Sequence, residues 1–141
     1  MRAVLQRARR GRVVVDGEVI GEITEPGVVA LVAAHVSDGP DQVEAMARKI
    51  TDLRILRDEL SLLDAGAPLL LVSQFTLYGS TRKGRRPSWS EAAPGDVAEP
   101  LFDALVEAVR GRGVEVATGR FGADMEVEIV NDGPFTLLVD V

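Results

Sequence analysis

The spacing of apolar and polar positions changes several times along the chain. Residues 3–8, AVLQRA, and 12–23, RVVVDGEVIGEI, alternate as half-buried strands do. Asp16-Gly17 sits between RVVV and EVIGEI as a hairpin turn. Residues 27–36, GVVALVAAHV, are apolar without a break and suit a strand buried on both faces. SDGP then supplies helix-start signals. From Asp41 to about Leu56, the residues Val43, Met46, Ala47, Ile50, Leu53 and Ile55 trace a helical stripe. Residues 69–78, LLLVSQFTLY, predict a further strand, and 79–89, GSTRKGRRPSW, a long loop. A second helix over 96–113 puts Val97, Leu101, Leu105 and Ala108 on one side. Pro100 belongs in its first turns, because a proline deep in a helix costs about 3 kcal/mol. Residues 114–119, 125–130 and 135–141 end the chain as strands. Two helices among many strands predict a β-rich α/β or α+β fold with the helices packed on a sheet.

Composition narrows this picture. A chain of 141 residues, 46% apolar, is expected to form one domain spanning residues 1–141. No run is long enough to span a bilayer, and MRAVLQRARR lacks the apolar block of a signal peptide, so a cytoplasmic protein is expected. With no cysteine there is no disulfide, thiol nucleophile or thiolate metal ligand. The net charge of −6 argues against holding nucleic acid by a global positive field. Two local basic stretches stand out, Arg7 to Arg12 (RARRGR) and Arg82 to Pro87 (RKGRRP). Taken alone, each reads as a solvated loop.

Candidate chemistry is sparse. A Ser-His-Asp triad would have to use His35, the one histidine, which otherwise reads as a half-buried residue with a satisfied hydrogen bond. Asp38 and Asp41 fit helix capping. SQFTLYG is more informative. Drawn as a strand, it points Gln74, Thr76 and Tyr78 one way, and Ser73, Phe75 and Leu77 the other. Three polar side chains would then line a pocket wall. A Thr76 nucleophile would need a base, and none is near in sequence. NDGPFT, residues 131–136, poses a different problem. Asp-Gly suits a turn, but Pro134 has no N–H to give where a new strand should begin.

SQFTLYG, KGRRPS and TGRFGADMEVEIVNDGPFT, in this order and spacing, resemble the D-aminoacyl-tRNA deacylase family. The opening MRAVLQRA…VVVDGEVIGEI and ARKITDLRI are similar to it too, so the resemblance covers essentially the whole chain. Its most specific parts are SQxT at Ser73–Thr76 and NxGPxT at Asn131–Thr136. The resemblance implies a mixed, barrel-like sheet with two helices packed on it. It also implies hydrolysis of the ester joining a D-amino acid to the terminal adenosine of tRNA, with L-aminoacyl-tRNA spared. The enzyme would be a cofactor-free, metal-free homodimer. In this family Gly-Pro is a cis peptide that enters the partner's site, which here is Gly133-Pro134. Its carbonyl oxygens would accept from the substrate's α-ammonium group, and its backbone would exclude an L side chain.

Such a gauge cannot reject a missing side chain, so glycyl-tRNA is an expected further substrate. Ser73, Gln74, Phe75 and Thr76 would be the catalytic residues. Thr76 is a nucleophile candidate by its place in SQxT. The favoured alternative is assistance from the substrate's free ribose hydroxyl, with backbone N–H groups near Phe75 and Thr76 stabilising the oxyanion. Arg7 and Asn131 would support Gly133-Pro134. Phe121, Gly122 and Met125 would receive the adenine, and Lys83, Arg85 and Arg86 would meet acceptor-stem phosphates. The rival readings are a non-catalytic tRNA-end binding module and an editing deacylase for an L-aminoacyl-tRNA. Three departures from the family pattern stand out: Phe135 in place of valine, a more basic RRGR at 9–12, and a short segment after RILRDE.

Overall fold

A computed structural model describes all 141 residues. In chain order the elements are β1 (Arg2–Val15), β2 (Glu18–Ile23), β3 (Gly27–Ala33), α1 (Pro40–Asp52), α2 (Leu62–Ala65), β4 (Leu69–Ser73), α3 (Gly95–Gly111), β5 (Val116–Thr118) and β6 (Glu126–Asp140). Single 3-10 turns cover Arg57–Glu59 and Phe75–Tyr78.

β1 organises the sheet. One edge pairs antiparallel with β6 over nearly its whole length. The other edge is divided: Arg2 to Ala8 pair with β3, and Gly11 to Val15 with β2. β3, β4 and β5 run parallel to each other, so α1 and α3 serve as their crossovers. β2 closes on β5, where a Cβ on Gly21 would collide with the Thr118 carbonyl. The result is a mixed sheet curled almost into a barrel.

Both faces of the central strands are buried, and the alternation sorts their side chains. Val28, Ala30, Val32, Leu69 and Leu71 face α1 and α3 in the larger core. Val29, Leu70 and Val72 point into the curled sheet with Ala8, Val13, Val15 and Ile23. This matches the uninterrupted apolar run at 27–36, except that the strand stops at Ala33 and His35 forms an isolated bridge with Ala92.

Several expectations change. Residues 3–8 and 12–15 are one strand, so RARRGR is not a loop; its charges are answered across the ladder by Asp132 and Glu128. Residues 125–130 and 135–141 also join, as β6. Both halves pair with β1, and NDGPFT is a bulge rather than a hairpin turn. Between the pairs Gln6–Thr136 and Ala8–Asn131, the four residues Asp132 to Phe135 face Arg7 alone. Pro134 therefore sits where the ladder is already interrupted.

α1 ends at Asp52, earlier than its stripe suggested. Ile55 is still buried, but from extended chain. A one-turn α2 follows, which the pattern did not reveal; the Ser61 hydroxyl accepts from the Asp64 N–H at 3.0 Å. α3 buries Ala98, Phe102, Leu105, Val106 and Val109, while Val97 is exposed. The apolar arc of this helix is broad, and the sheet takes the side carrying Phe102. Pro100 lies in the second turn, where its missing N–H would have faced Asp96. No helix is long and apolar enough to cross a membrane.

Leu70 is fully buried inside the curled sheet. Leu70→Ala is expected to destabilise the fold by about 2–5 kcal/mol, read as a lower urea midpoint with unchanged slope.

Candidate active site

β4 ends at Ser73, and the next residues leave the sheet plane. Gln74 takes φ −149° and ψ 76°, and Phe75–Tyr78 form the 3-10 turn. The alternating wall of Gln74, Thr76 and Tyr78 is therefore not formed. Instead the turn packs against β3 and the start of β1, and the Arg2 guanidinium donates to the Leu77 carbonyl at 3.2 Å. Tyr78 is buried with its ring 5.2 Å from that of His35. Burial, with Asp38 next in effect, pushes its hydroxyl up to about 12, so it stays protonated at neutral pH and is no base. His35 Nδ1 lies 2.8 Å from Ser37 Oγ, within its own loop. Its pairing is the satisfied one expected of a non-catalytic histidine.

The turn opens on a cavity of about 550 Å³. Ser73, Gln74 and Phe75 line one wall; Phe121, Gly122 and Met125 line another. α3 contributes Gly95, Ala98, Phe102 and Leu105, so the lining is mostly apolar. Phe121 leans on Phe102, with ring centroids 6.3 Å apart. Gly119 admits Met125 closely: a Cβ there would lie 2.6 Å from the Met125 sulfur. Two segments far apart in sequence thus converge on one apolar space with a polar corner.

Thr76 is exposed beside the cavity and outside its lining. Its Oγ1 lies 2.6 Å from Gln74 Nε2. An amide takes no proton at neutral pH, so this contact orients the hydroxyl without activating it. The N–H groups of Phe75 and Thr76 begin the turn, where intrahelical acceptors are lacking. Neither donates in any backbone bond outside the regular elements.

Gly133-Pro134 lies elsewhere. Its peptide bond is cis. Arg2 touches the Phe75–Tyr78 turn, whereas Arg7 touches the Gly-Pro bulge. The five steps of β1 between them amount to about 16 Å. The bulge is held from several sides. Arg7 Nε donates to the Asp132 carbonyl at 2.9 Å, and Arg7 Nη1 to the Ile55 carbonyl at 3.4 Å. Asn131 Nδ2 donates to the Arg7 carbonyl at 2.8 Å and the Phe135 carbonyl at 3.3 Å. Phe135, the unusual residue of this motif, places its ring centroid 4.7 Å from the Arg7 guanidinium carbon. It braces the arginine from below.

The Asp132 carboxylate accepts from Arg57 Nε and Nη2 at 3.0 and 2.7 Å, with Arg7 and Arg9 at 3.5 and 3.8 Å. Arg57 foremost holds this carboxyl below the usual carboxylate range. Nothing in the sequence signals Arg57, since its partner is remote in the chain. Lys83, Arg85 and Arg86 stand exposed on the loop beyond the turn and line neither the cavity nor the bulge.

A family model described as D-Tyr-tRNA(Tyr) deacylase matches residues 4–140. The chain belongs to this family. A protein of Kineococcus radiotolerans is 62% identical over 140 residues, covering 99% of both chains, and one of Beutenbergia cavernae is 64% identical at the same coverage. Both are named D-aminoacyl-tRNA deacylase. Among solved structures, one described as c-Myc DNA unwinding element binding protein superposes with a TM-score of 0.93. It is 37% identical and covers 100% of this chain and 99% of that one. Another, described as a probable eukaryotic D-amino acid tRNA deacylase, has a TM-score of 0.87 at 20% identity; it covers 99% of this chain and 98% of that one, and speaks for the fold.

The charged form of Asp132 is the one Arg57 stabilises. Its contribution is complete above the ordinary aspartate range and is lost as pH falls through the lowered folded value. An NMR titration of the Asp132 carboxyl carbon is expected to give a midpoint below that of exposed aspartates. Arg57→Ala should move the midpoint upward.

Proposed function

We propose that this protein hydrolyses D-aminoacyl-tRNA to free D-amino acid and tRNA. The observation carrying the proposal is the apolar cavity that joins the Ser73–Phe75 corner to Phe121, Gly122 and Met125. A terminal adenosine suits this space, since its base has a π-face for apolar and aromatic contact while its ribose reaches the polar corner. The ester carbonyl then lies by the first amides of the turn, those of Phe75 and Thr76, which would donate to the oxyanion.

Water adds to the ester carbon, the carbon–oxygen bond to ribose breaks, and the ribose oxygen leaves with a proton. No protein base adjoins Thr76, so the neighbouring free ribose hydroxyl is assigned to guide that proton. Thr76 and Gln74 position the turn. Lys83, Arg85 and Arg86 meet backbone phosphates, a weak and salt-sensitive contact on a chain of negative net charge.

The same reading assigns Gly133-Pro134 to a second copy of the chain. Its own cavity is about five residues of β1 away, while the bulge lies on β6, whose outer edge has no partner and which exposes Leu138 and Val130. In a homodimer the loop carbonyls of one copy would accept from the substrate ammonium in the other. Backbone would then occupy the space of an L side chain. Glycine presents nothing to exclude.

Purified protein is expected to cleave D-Tyr-tRNA and Gly-tRNA and to spare L-Tyr-tRNA. No turnover of the D ester would leave only a binding module. Thr76→Ala is expected to keep most of kcat, whereas a 2′-deoxy terminal adenosine should cost far more. A loss of several orders of magnitude in Thr76→Ala, with fold and binding intact, would make Thr76 the nucleophile. Comparable rates for L-Ala-tRNA and Gly-tRNA would contradict selection by exclusion.

A further inference from the structure

Trp89 is the only tryptophan of the chain, and the functional reading so far gives it no task. It is 42% exposed, on a surface where a large aromatic side chain needs a reason. Its ring lies 5.4 Å from that of Phe75, edge to face at 71°. Phe75 lines the cavity and is itself 55% exposed, whereas Trp89 stands outside the lining. The two rings therefore form a step leading outward from the cavity mouth.

The seat of Trp89 is specific. A Cβ on Gly79, the residue that ends the 3-10 turn, would lie 2.6 Å from Trp89 Cζ3. Ser80 and Ser88 exchange backbone hydrogen bonds of 2.8 and 3.0 Å, closing residues 81–87 into a loop whose base carries Trp89. That loop presents Arg82, Lys83, Arg85 and Arg86, all exposed and absent from every ion pair in the structure. The other arginine-rich stretch, Arg7 to Arg12, is by contrast largely paired to Asp132 and Glu128. Unpaired cations beside a stacked aromatic pair, continuous with a nucleoside-sized cavity, are the elements of a single-strand binding groove.

We propose that Trp89 is the stacking platform for the base of the nucleotide that precedes the terminal adenosine, with Arg82, Lys83, Arg85 and Arg86 meeting the phosphates on either side. The inference rests on the cavity's assignment to an RNA 3′ terminus. Stacking on an indole tolerates any base, so this contact lengthens the recognised end without reading its sequence.

Trp89 reports on its own occupancy by fluorescence. Wild-type protein is titrated with cytidylyl-adenosine, with adenosine monophosphate, and with the dinucleotide lacking its cytosine. Only the intact dinucleotide is expected to quench strongly. Trp89→Ala should weaken dinucleotide binding roughly 5- to 100-fold, measured by competition, and leave monophosphate binding unchanged. Trp89→Phe should restore most of it. In turnover, the preference of wild-type protein for the D-aminoacyl dinucleotide over D-aminoacyl-adenosine should collapse in Trp89→Ala through KM rather than kcat.

Absence of quenching by the dinucleotide, equal quenching by the monophosphate, or an unchanged preference in Trp89→Ala would each overturn the proposal. An equal loss on both substrates would reduce Trp89 to a prop for Phe75. Quenching without hydrolysis would retain the platform and reject the deacylase reading. Hydrolysis without dinucleotide preference would do the reverse.

Discussion

The backbone of β1 must satisfy hydrogen bonds on two edges with three partners, and the rest of the structure depends on how it does so. Along one edge β6 follows it almost end to end. Along the other, β3 lets go at Ala8 and β2 takes over at Gly11. The exchange needs a close approach, since a Cβ on Gly11 would stand 2.8 Å from Val29 Cγ2. Because the partners change, the sheet curls. Because it curls, Val29, Leu70 and Val72 gain an interior of their own, while Leu69 and Leu71 remain free to seat the crossover helices. The cavity lies where the ends of β3 and β4 meet α3, in the space that this division leaves.

Charge is arranged along the same strand. The guanidinium groups of Arg7, Arg9 and Arg57 converge on one carboxylate in the bulge, so its acidic side chain is held by groups from two separate segments. Arg12 meets Glu128 further along the ladder at 2.8 Å. The loop at 82–86 has no such partners. A chain with an acidic total thus gathers four uncommitted positive charges on one short loop beside the aromatic rings at the cavity mouth.

Local signals predicted much of this and failed where distant contacts decide. Unbroken apolar runs marked β3 and β4, because both faces are buried and the residues say so directly. The period-two rule misread 74–78, since a strand and a 3-10 turn can share one polar–apolar pattern. RARRGR looked like loop because four arginines in a strand make sense only once Asp132 and Glu128 are known to lie opposite. NDGPFT looked like a turn because local rules know proline as a strand breaker and cannot see that the facing strand supplies a single residue there. Ser73, Gln74 and Phe75 converge with Phe121, Gly122 and Met125 in the fold, yet only the family resemblance linked them in advance. Arg57 carried no signal at all. Trp89 did, as a lone indole following a basic run.

The bulge has one further property. Gln6 to Ala8 is two steps on β1, but the facing residues Thr136 to Asn131 are five steps on β6. The excess is odd. Val127 and Ile129 before the bulge pack with the core inside the curled sheet, whereas Leu137 and Val139 after it pack with the core under the helices. The bulge thus passes one strand from one core to the other, and a single residue added to it or removed would aim half of β6 away from its core.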